Sequence, residues 1–297
     1  MLLTQLEYFV ALARERHFGR AAAACFVSPS ALSESIRKLE AELGAPLVAR
    51  GRNFEGLTRE GELALTWAQR IVHSRAAMLA DISAANGALT AHARVGAIPE
   101  GAALGAAVLS ALGREQPGMT ASLATGLSSE ETVAKLRDFE LDAGVILAPA
   151  GNAHDLHAVA LGEVAVVVVA PAGTFPGGAA PVAASMLAHV PLALLSPGMR
   201  ARQLCDEQLA AAGITLRPRL EVDSAEGLLS LVAQGPWVAV VPESTITDVP
   251  LASALQVLPL SEPRIALPLA VVRLAHEPVS ALAQALDAAI ASALPTN

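Results

Sequence analysis

At 297 residues the chain has room for two to three compact units, and 53% apolar against 16% charged residues supplies an ample buried core. Only two cysteines, Cys25 and Cys205, exclude a disulfide framework and suit a reducing compartment. The net charge of −8 is unevenly placed: residues 1–70 hold nine Arg/Lys and eight Asp/Glu (net +1), and residues 71–297 hold eleven and twenty (net −9).

Residues 4–15 carry Leu6, Phe9, Val10 and Ala13 on one face of a predicted helix. Its charges (Glu7, Arg14, Glu15, Arg16) are not those of a signal peptide, and the apolar run Val164–Ala172 is too short to span a bilayer. A cytoplasmic protein is expected. A short alanine-rich helix over about Gly19–Cys25 follows, then a turn at Val27-Ser28. Ser28 is a good N-cap and Pro29 occupies the first helical position, where proline is best tolerated. The next helix sets Leu32, Ile36, Leu39 and Leu43 on one stripe, and Ser30, Ser33, Glu34, Arg37 and Lys38 on the other face. A short helix, a tight turn and a second helix with a polar, partly basic face is a helix-turn-helix layout, in which the second helix enters the DNA major groove. Periodicity alone also admits an ordinary helical hairpin. Gly44 suits a helix end, and the extended pieces around Gly51-Arg52-Asn53 within 46–58 read as a hairpin, with Arg50 and Arg52 as phosphate contacts or simply solvated side chains.

The N-terminal 65 residues resemble the LysR-type transcriptional regulators. The resemblance is carried by Leu6-Glu7-Tyr8-Phe9, His17-Phe18, Arg20-Ala21-Ala22, Val27-Ser28, Ala31-Leu32-Ser33, Ile36-Arg37-Lys38-Leu39-Glu40, Leu43-Gly44, Pro46-Leu47, Arg50, Leu57-Thr58 and Gly61. It implies a winged helix-turn-helix at 1–58, with Ser28, Pro29, Ser30, Ser33, Glu34, Arg37, Lys38, Arg50 and Arg52 facing DNA. Three positions depart from the family pattern: Pro29 replaces a common glutamine, Glu34 a basic or amide residue, and Val48-Ala49 the aromatic before Arg50. A domain with net charge near zero attracts phosphate only modestly, and binding as a homodimer or homotetramer compensates.

Thr58 is expected to cap a long helix reaching about Ala91. Leu65, Val72 and Leu79 recur at sevens, with Trp67, Ile71, Met78 and Ile82 widening the stripe. The expected partner is the same helix of a second subunit, making 59–91 a dimerisation linker. The competing reading packs the stripe against the helix's own domain. From Arg94 short apolar strands alternate with helices: strands at 94–98, 120–124, 143–147 and 164–170, then 192–195, 219–222, 237–241 and 265–272, with helix starts at Ser128–Glu131 and Asp223–Glu226 and a last helix over 279–294. This predicts doubly wound α/β lobes, lobe I about 92–165 plus 268–297 and lobe II about 166–267. The arrangement resembles the periplasmic-binding-protein-like effector domain of the same family.

The sequence shows no Gly-x-Gly-x-x-Gly after the first α/β strand, no P-loop and no Gly-x-Ser-x-Gly elbow. No histidine stands beside a candidate serine, and His154 and His157 flank Asp155 in an expected exposed loop. Neither an enzyme, a metal site nor a cofactor is expected. Helix N-termini at strand ends favour an anion instead. Glu100, Gly101, Thr125, Ser128, Ser129, Ser196 and Arg200 are the effector-binding candidates, each serine taken singly being better explained as a plain N-cap. The resemblance implies a small-molecule effector, read here as a small organic anion between Arg200 and the Ser128-Ser129 helix start. A free-standing solute-binding protein and an enzyme on an α/β fold are the alternatives.

Overall fold

Helix α1 (Leu3–Glu15) buries Leu6, Phe9 and Leu12, and stops where Arg16 turns left-handed (φ 49°). Helix α2 (Phe18–Ala24) starts with its Arg20 N–H donated to His17 Nδ1, and its buried Ala21 and Ala22 let neighbouring helices approach closely. Helix α3 (Pro29–Leu43) begins as its sequence dictates, with the Ala31 N–H donated to Ser28 Oγ, and ends at Gly44 (φ 71°). Leu32, Ile36 and Leu39 complete a core with α1, Leu47 and Val48. Strands β1 (Val48–Arg50) and β2 (Phe54–Leu57) form an antiparallel wing.

The computed structural model describes residues 1–50, 54–148, 154–175, 180–246 and 255–293, without the side chain of Arg50. Residues 1–91 with 137–140 and 280–284 form one unit, and 92–136, 141–279 and 285–297 the other.

Helix α4 (Arg59–Ala85) is pinned at its start. Thr58 Oγ1 accepts the Gly61 N–H (2.9 Å) and donates to Pro46 O (2.6 Å). Gly61 lies so close to the wing that a Cβ there would meet Leu47 O at 2.0 Å. The helix stops about six residues short of the expected end, because Gly87 turns left-handed (φ 94°) and Ser83 Oγ accepts the Thr90 N–H. Leu65 and Val72 are half-buried against the core of their own unit, so for these two the competing reading holds. Leu79 stays exposed, as do Leu63, Trp67, Ile71, Met78 and Ile82.

The second unit is α/β. Strand β3 (His92–Ala97) leads through a short turn, Pro99–Gly101, into α5 (Ala102–Glu115). Then come β4 (Thr120–Thr125), α6 (Ser129–Arg137), β5 (Ala143–Leu147) and β6 (Leu156–Pro171). The chain continues as β7 (Val182–Ala183), β8 (Ala193–Leu195), α7 (Arg200–Ala211), β9 (Leu220–Val222), α8 (Ala225–Gln234) and β10 (Ala239–Pro242). Strands β11 (Leu255–Ser261) and β12 (Ala266–Leu274) and helix α9 (Ala281–Ala293) complete it. The main sheet runs β4-β3-β5-β12-β6-β11-β7, with β10 also on β6, and β8 pairs with β9 apart from it.

The α/β lobes share a mixed sheet. β3 is parallel to β4 and β5, whereas β12 runs antiparallel to β5 and β6. The cause is β6: its first part pairs with β12 and its Val166–Pro171 end pairs with β10 and β11, so one 16-residue strand serves both lobes. His157, expected in a loop, lies on this strand opposite Arg273. Exposed His157, Ala158, Ala160 and Gly162 dilute the strand signal there. Strand β11 escaped notice because Gln256 and Pro259 interrupt its apolar pattern.

Candidate functional site

The N-cap and the outer face of α3 present Ser28, Pro29, Ser30, Glu34, Arg37 and Lys38 to solvent, with Ser33 half-buried. The Ser28 and Ser30 hydroxyls lie 3.0 Å apart, so the cap already uses part of their bonding capacity. Glu34 reaches Arg37 Nη2 at 3.2 Å and Lys38 Nζ at 3.9 Å, and therefore masks both cations on the exposed face. Arg50 ends β1, its side chain outside the description, and Arg52 lies outside the described residues.

Glu34→Ala is expected to unmask Arg37 and Lys38. Affinity for a random-sequence duplex should rise about threefold and its salt dependence should steepen, as for one more effective cation on phosphate. A titration over several salt concentrations reads both.

Glu40 was legible only as part of the resemblance, yet among the described residues it is the one buried carboxylate of this unit. It accepts the Leu47 N–H at 2.9 Å and the Val48 N–H at 3.2 Å, tying the start of the wing to the back of α3. No sequence motif announces such a bond, since its partners are backbone groups. On α4, the Arg70 guanidinium lies over the exposed Trp67 ring (5.1 Å to the centroid).

In the second unit the candidates fall into separate roles. Ser128 and Glu131 close a reciprocal cap: the Ser128 N–H donates to Glu131 Oε2 (2.8 Å), and the Glu131 N–H donates to Ser128 Oγ (3.0 Å). The Ser128 N–H, and after it the Ser128 hydroxyl, hold the Glu131 carboxyl below its ordinary value. Ser129 is buried, its Oγ accepting the Leu147 N–H at 3.3 Å. The Ser196 N–H donates to Val222 O, and its carbonyl accepts the Met199 N–H. Arg200 Nη1 points along its own helix, 3.4 Å from both Gln203 Oε1 and Glu207 Oε1. Thr125 is exposed at the end of β4. Thus Ser128 caps its helix, Ser129 ties to the Leu147 backbone, Ser196 is held through its own backbone groups, and one Arg200 nitrogen faces its own helix.

Glu100 and Gly101 differ. Their short turn is buried, a Cβ on Gly101 would meet Val145 Cγ1 at 2.4 Å, and the turn packs against a second one at Glu243–Thr245. There the Ser244 and Thr245 hydroxyls are buried without a hydrogen-bond partner among the described residues. Sequence reasoning missed these two, although they follow a buried strand as the chosen serines do. Burial pushes the Glu100 carboxyl up from its ordinary value, and none of the described basic side chains forms an ion pair with it. Cys205 on α7 is buried, and its thiol is pushed up to about 12, first by burial, then by Asp206, with Glu100 adding to it. Among the described residues no group of His, Cys, Asp and Glu can hold a metal ion, and no helix is long and apolar enough to cross a membrane.

Residues 3–62 match the model of the bacterial regulatory helix-turn-helix protein, lysR family, and residues 86–295 match that of the LysR substrate binding domain. A probable hydrogen peroxide-inducible genes activator from Mycobacterium avium is 32% identical over 263 residues, covering 87% of this chain and 83% of that one. The regulator IlvY of Escherichia coli is 47% identical over 70 residues, 24% of each chain. A full-length OxyR variant from Pseudomonas aeruginosa superposes with a TM-score of 0.78 at 31% identity, covering 98% of this chain and 94% of that one. CbnR, at 21% identity, shares the fold with a TM-score of 0.70 over the whole of both chains. The helix-turn-helix, the wing and the two-lobed α/β unit are thus those of a known class, and the chain belongs to the LysR family of transcriptional regulators.

Proposed function

We propose that residues 1–58 read DNA through Ser28, Pro29, Ser30, Ser33, Glu34, Arg37 and Lys38 of α3, with Arg50 and Arg52 gripping phosphate. In the same reading 59–91 pairs two protomers in the cytoplasm, and an effector bound between the lobes of 92–297 sets the promoter response. The observation that carries this is the polar N-terminal face of α3, exposed over a core that buries its opposite stripe. Selection from a random duplex pool tests it. Wild type should enrich a partly palindromic site, whereas Ser33→Ala and Arg37→Ala should enrich a degenerate pool, and no enrichment by wild type would reject the reading.

The pairing surface follows the exposed side of α4: Leu63, Trp67, Ile71, Met78, Leu79 and Ile82, in place of Leu65 and Val72. For the effector, the site centres on Glu100, Gly101, Ser244 and Thr245. Glu100, buried without an ion-pair partner among the described residues, and the unpartnered Ser244 and Thr245 hydroxyls would hold the effector by hydrogen bonds, and a small organic anion fits there with the Glu100 carboxyl protonated, the form that burial favours. A peroxide response, as the Mycobacterium relative's name states for that protein, is not assigned to Cys205. A thiol at about 12 in a buried position is protonated at neutral pH, and peroxide reacts with the thiolate.

A carboxyl raised in the folded state costs stability as pH climbs from its unfolded value through its folded one, and the cost is complete above that window. Glu100→Gln should therefore raise the melting temperature by a few degrees at pH 8, and the gain should vanish near about pH 4, where both states are protonated. Thermal melts across pH read this, and a Glu100→Gln protein less stable at pH 8 would show that the carboxylate is a structural tie.

A further inference from the structure

Phe26 closes the turn between α2 and α3 in the left-handed region (φ 56°), a conformation that suits glycine and strains a bulky side chain. Turns of this motif often hold glycine at such a point. Both backbone N–H groups there are used: the Phe26 N–H donates to Ala23 O (3.1 Å), and the Val27 N–H donates to Ala22 O (3.0 Å). The ring gains nothing from the fold in return, since Phe26 is 95% exposed, whereas Phe9 is buried and Phe18 and Phe54 pack edge to face. Two residues on, Ser28 caps α3 and begins the exposed run Ser28-Pro29-Ser30. Strain held at a non-glycine residue without packing to offset it is a mark of a contact made elsewhere.

We propose that the Phe26 ring is a DNA-positioning contact, lying against the sugar edge of the strand that flanks the groove entered by α3. This rests on the reading that residues 1–58 bind DNA. Contacts to sugar and phosphate fix the register of a recognition helix and carry no base information. An apolar ring also releases no counterion, so its contribution is independent of salt.

The test uses the full chain with Phe26→Gly and Phe26→Asn, both of which tolerate the left-handed turn, and Phe26→Tyr, which keeps the ring. The probes are a random-sequence duplex and a duplex selected by wild type, each titrated over several salt concentrations. Phe26→Gly and Phe26→Asn should melt at or above the wild-type temperature and bind both duplexes about fivefold more weakly per protomer. Their lines of log affinity against log salt should run parallel to that of wild type, and Phe26→Tyr should retain most of the affinity. Unchanged affinity of Phe26→Gly overturns the proposal. So does a lower melting temperature, a changed salt slope, or a shift in oligomeric state with DNA affinity intact, which would assign the ring to a second copy. Failure of wild type to bind either duplex overturns the DNA reading itself, whereas wild-type binding with no Phe26 effect overturns only this inference.

Discussion

Ile71→Asp should give folded monomers that hold their DNA about 100-fold or more loosely, whereas Val72→Ala should remain an oligomer and lose about 1–2 kcal/mol of stability in its DNA-binding unit. The two residues are adjacent in sequence and point about 100° apart around the helix, Val72 toward its own domain and Ile71 toward solvent. Val72 is half-buried against the core built from α1 and α3, and its truncation leaves a gap there. Ile71 belongs with Leu63 and Trp67 to a row at intervals of four, continued by Met78 and Ile82. Trp67 is 62% exposed and Met78 54%, so the face is an apolar ridge of the kind helices pack into each other's grooves. Light scattering together with a gel shift separates the outcomes. An oligomeric Ile71→Asp protein would move the interface elsewhere.

Glu40→Ala should be nearly as damaging, and by a different route. Its carboxylate takes two buried backbone N–H groups, of Leu47 and Val48, and truncation strands both. Charge-assisted bonds of this kind put the loss at about 2–4 kcal/mol. Glu40→Gln keeps an acceptor oxygen and should lose about half as much. Amide exchange across residues 1–58 would report the loosening, and DNA affinity should fall with it, since α3 and the wing would no longer be fixed to one another. A Glu40→Ala protein with wild-type protection would show that the wing is held by the Leu47 and Val48 side chains alone.

Much of the first unit was legible because its signals are local. Ser28 and Pro29 start α3, Gly44 stops it, and Thr58 starts α4, each by chemistry within four residues. The α4 stripe was half-legible. Counting by sevens found Leu65, Val72 and Leu79, but this helix is apolar on two sides, and spacing alone does not say which side meets its own domain. In the α/β unit, buried β5 was plain, whereas the first part of β6 exposes small residues and was hidden. The effector candidates were chosen as helix starts. The structure shows why that rule is too generous: a serine that caps a helix has already spent its hydroxyl, as Ser128 has on the Glu131 N–H. Glu100 was picked for its place after a strand, and what distinguishes it is burial without a countercharge, which depends on a turn more than 140 residues away.

A hydroxyl-radical footprint of the purified protein on its selected duplex tests the central claim most directly, because it reads groove entry and pairing together. Two protected tracts, spaced by about one helical turn or a multiple of it, are predicted for wild type, with the pattern lost in Arg37→Ala and the second tract lost in Ile71→Asp. A single tract for wild type, or protection spread evenly along the duplex and unaltered by Arg37→Ala, would contradict it.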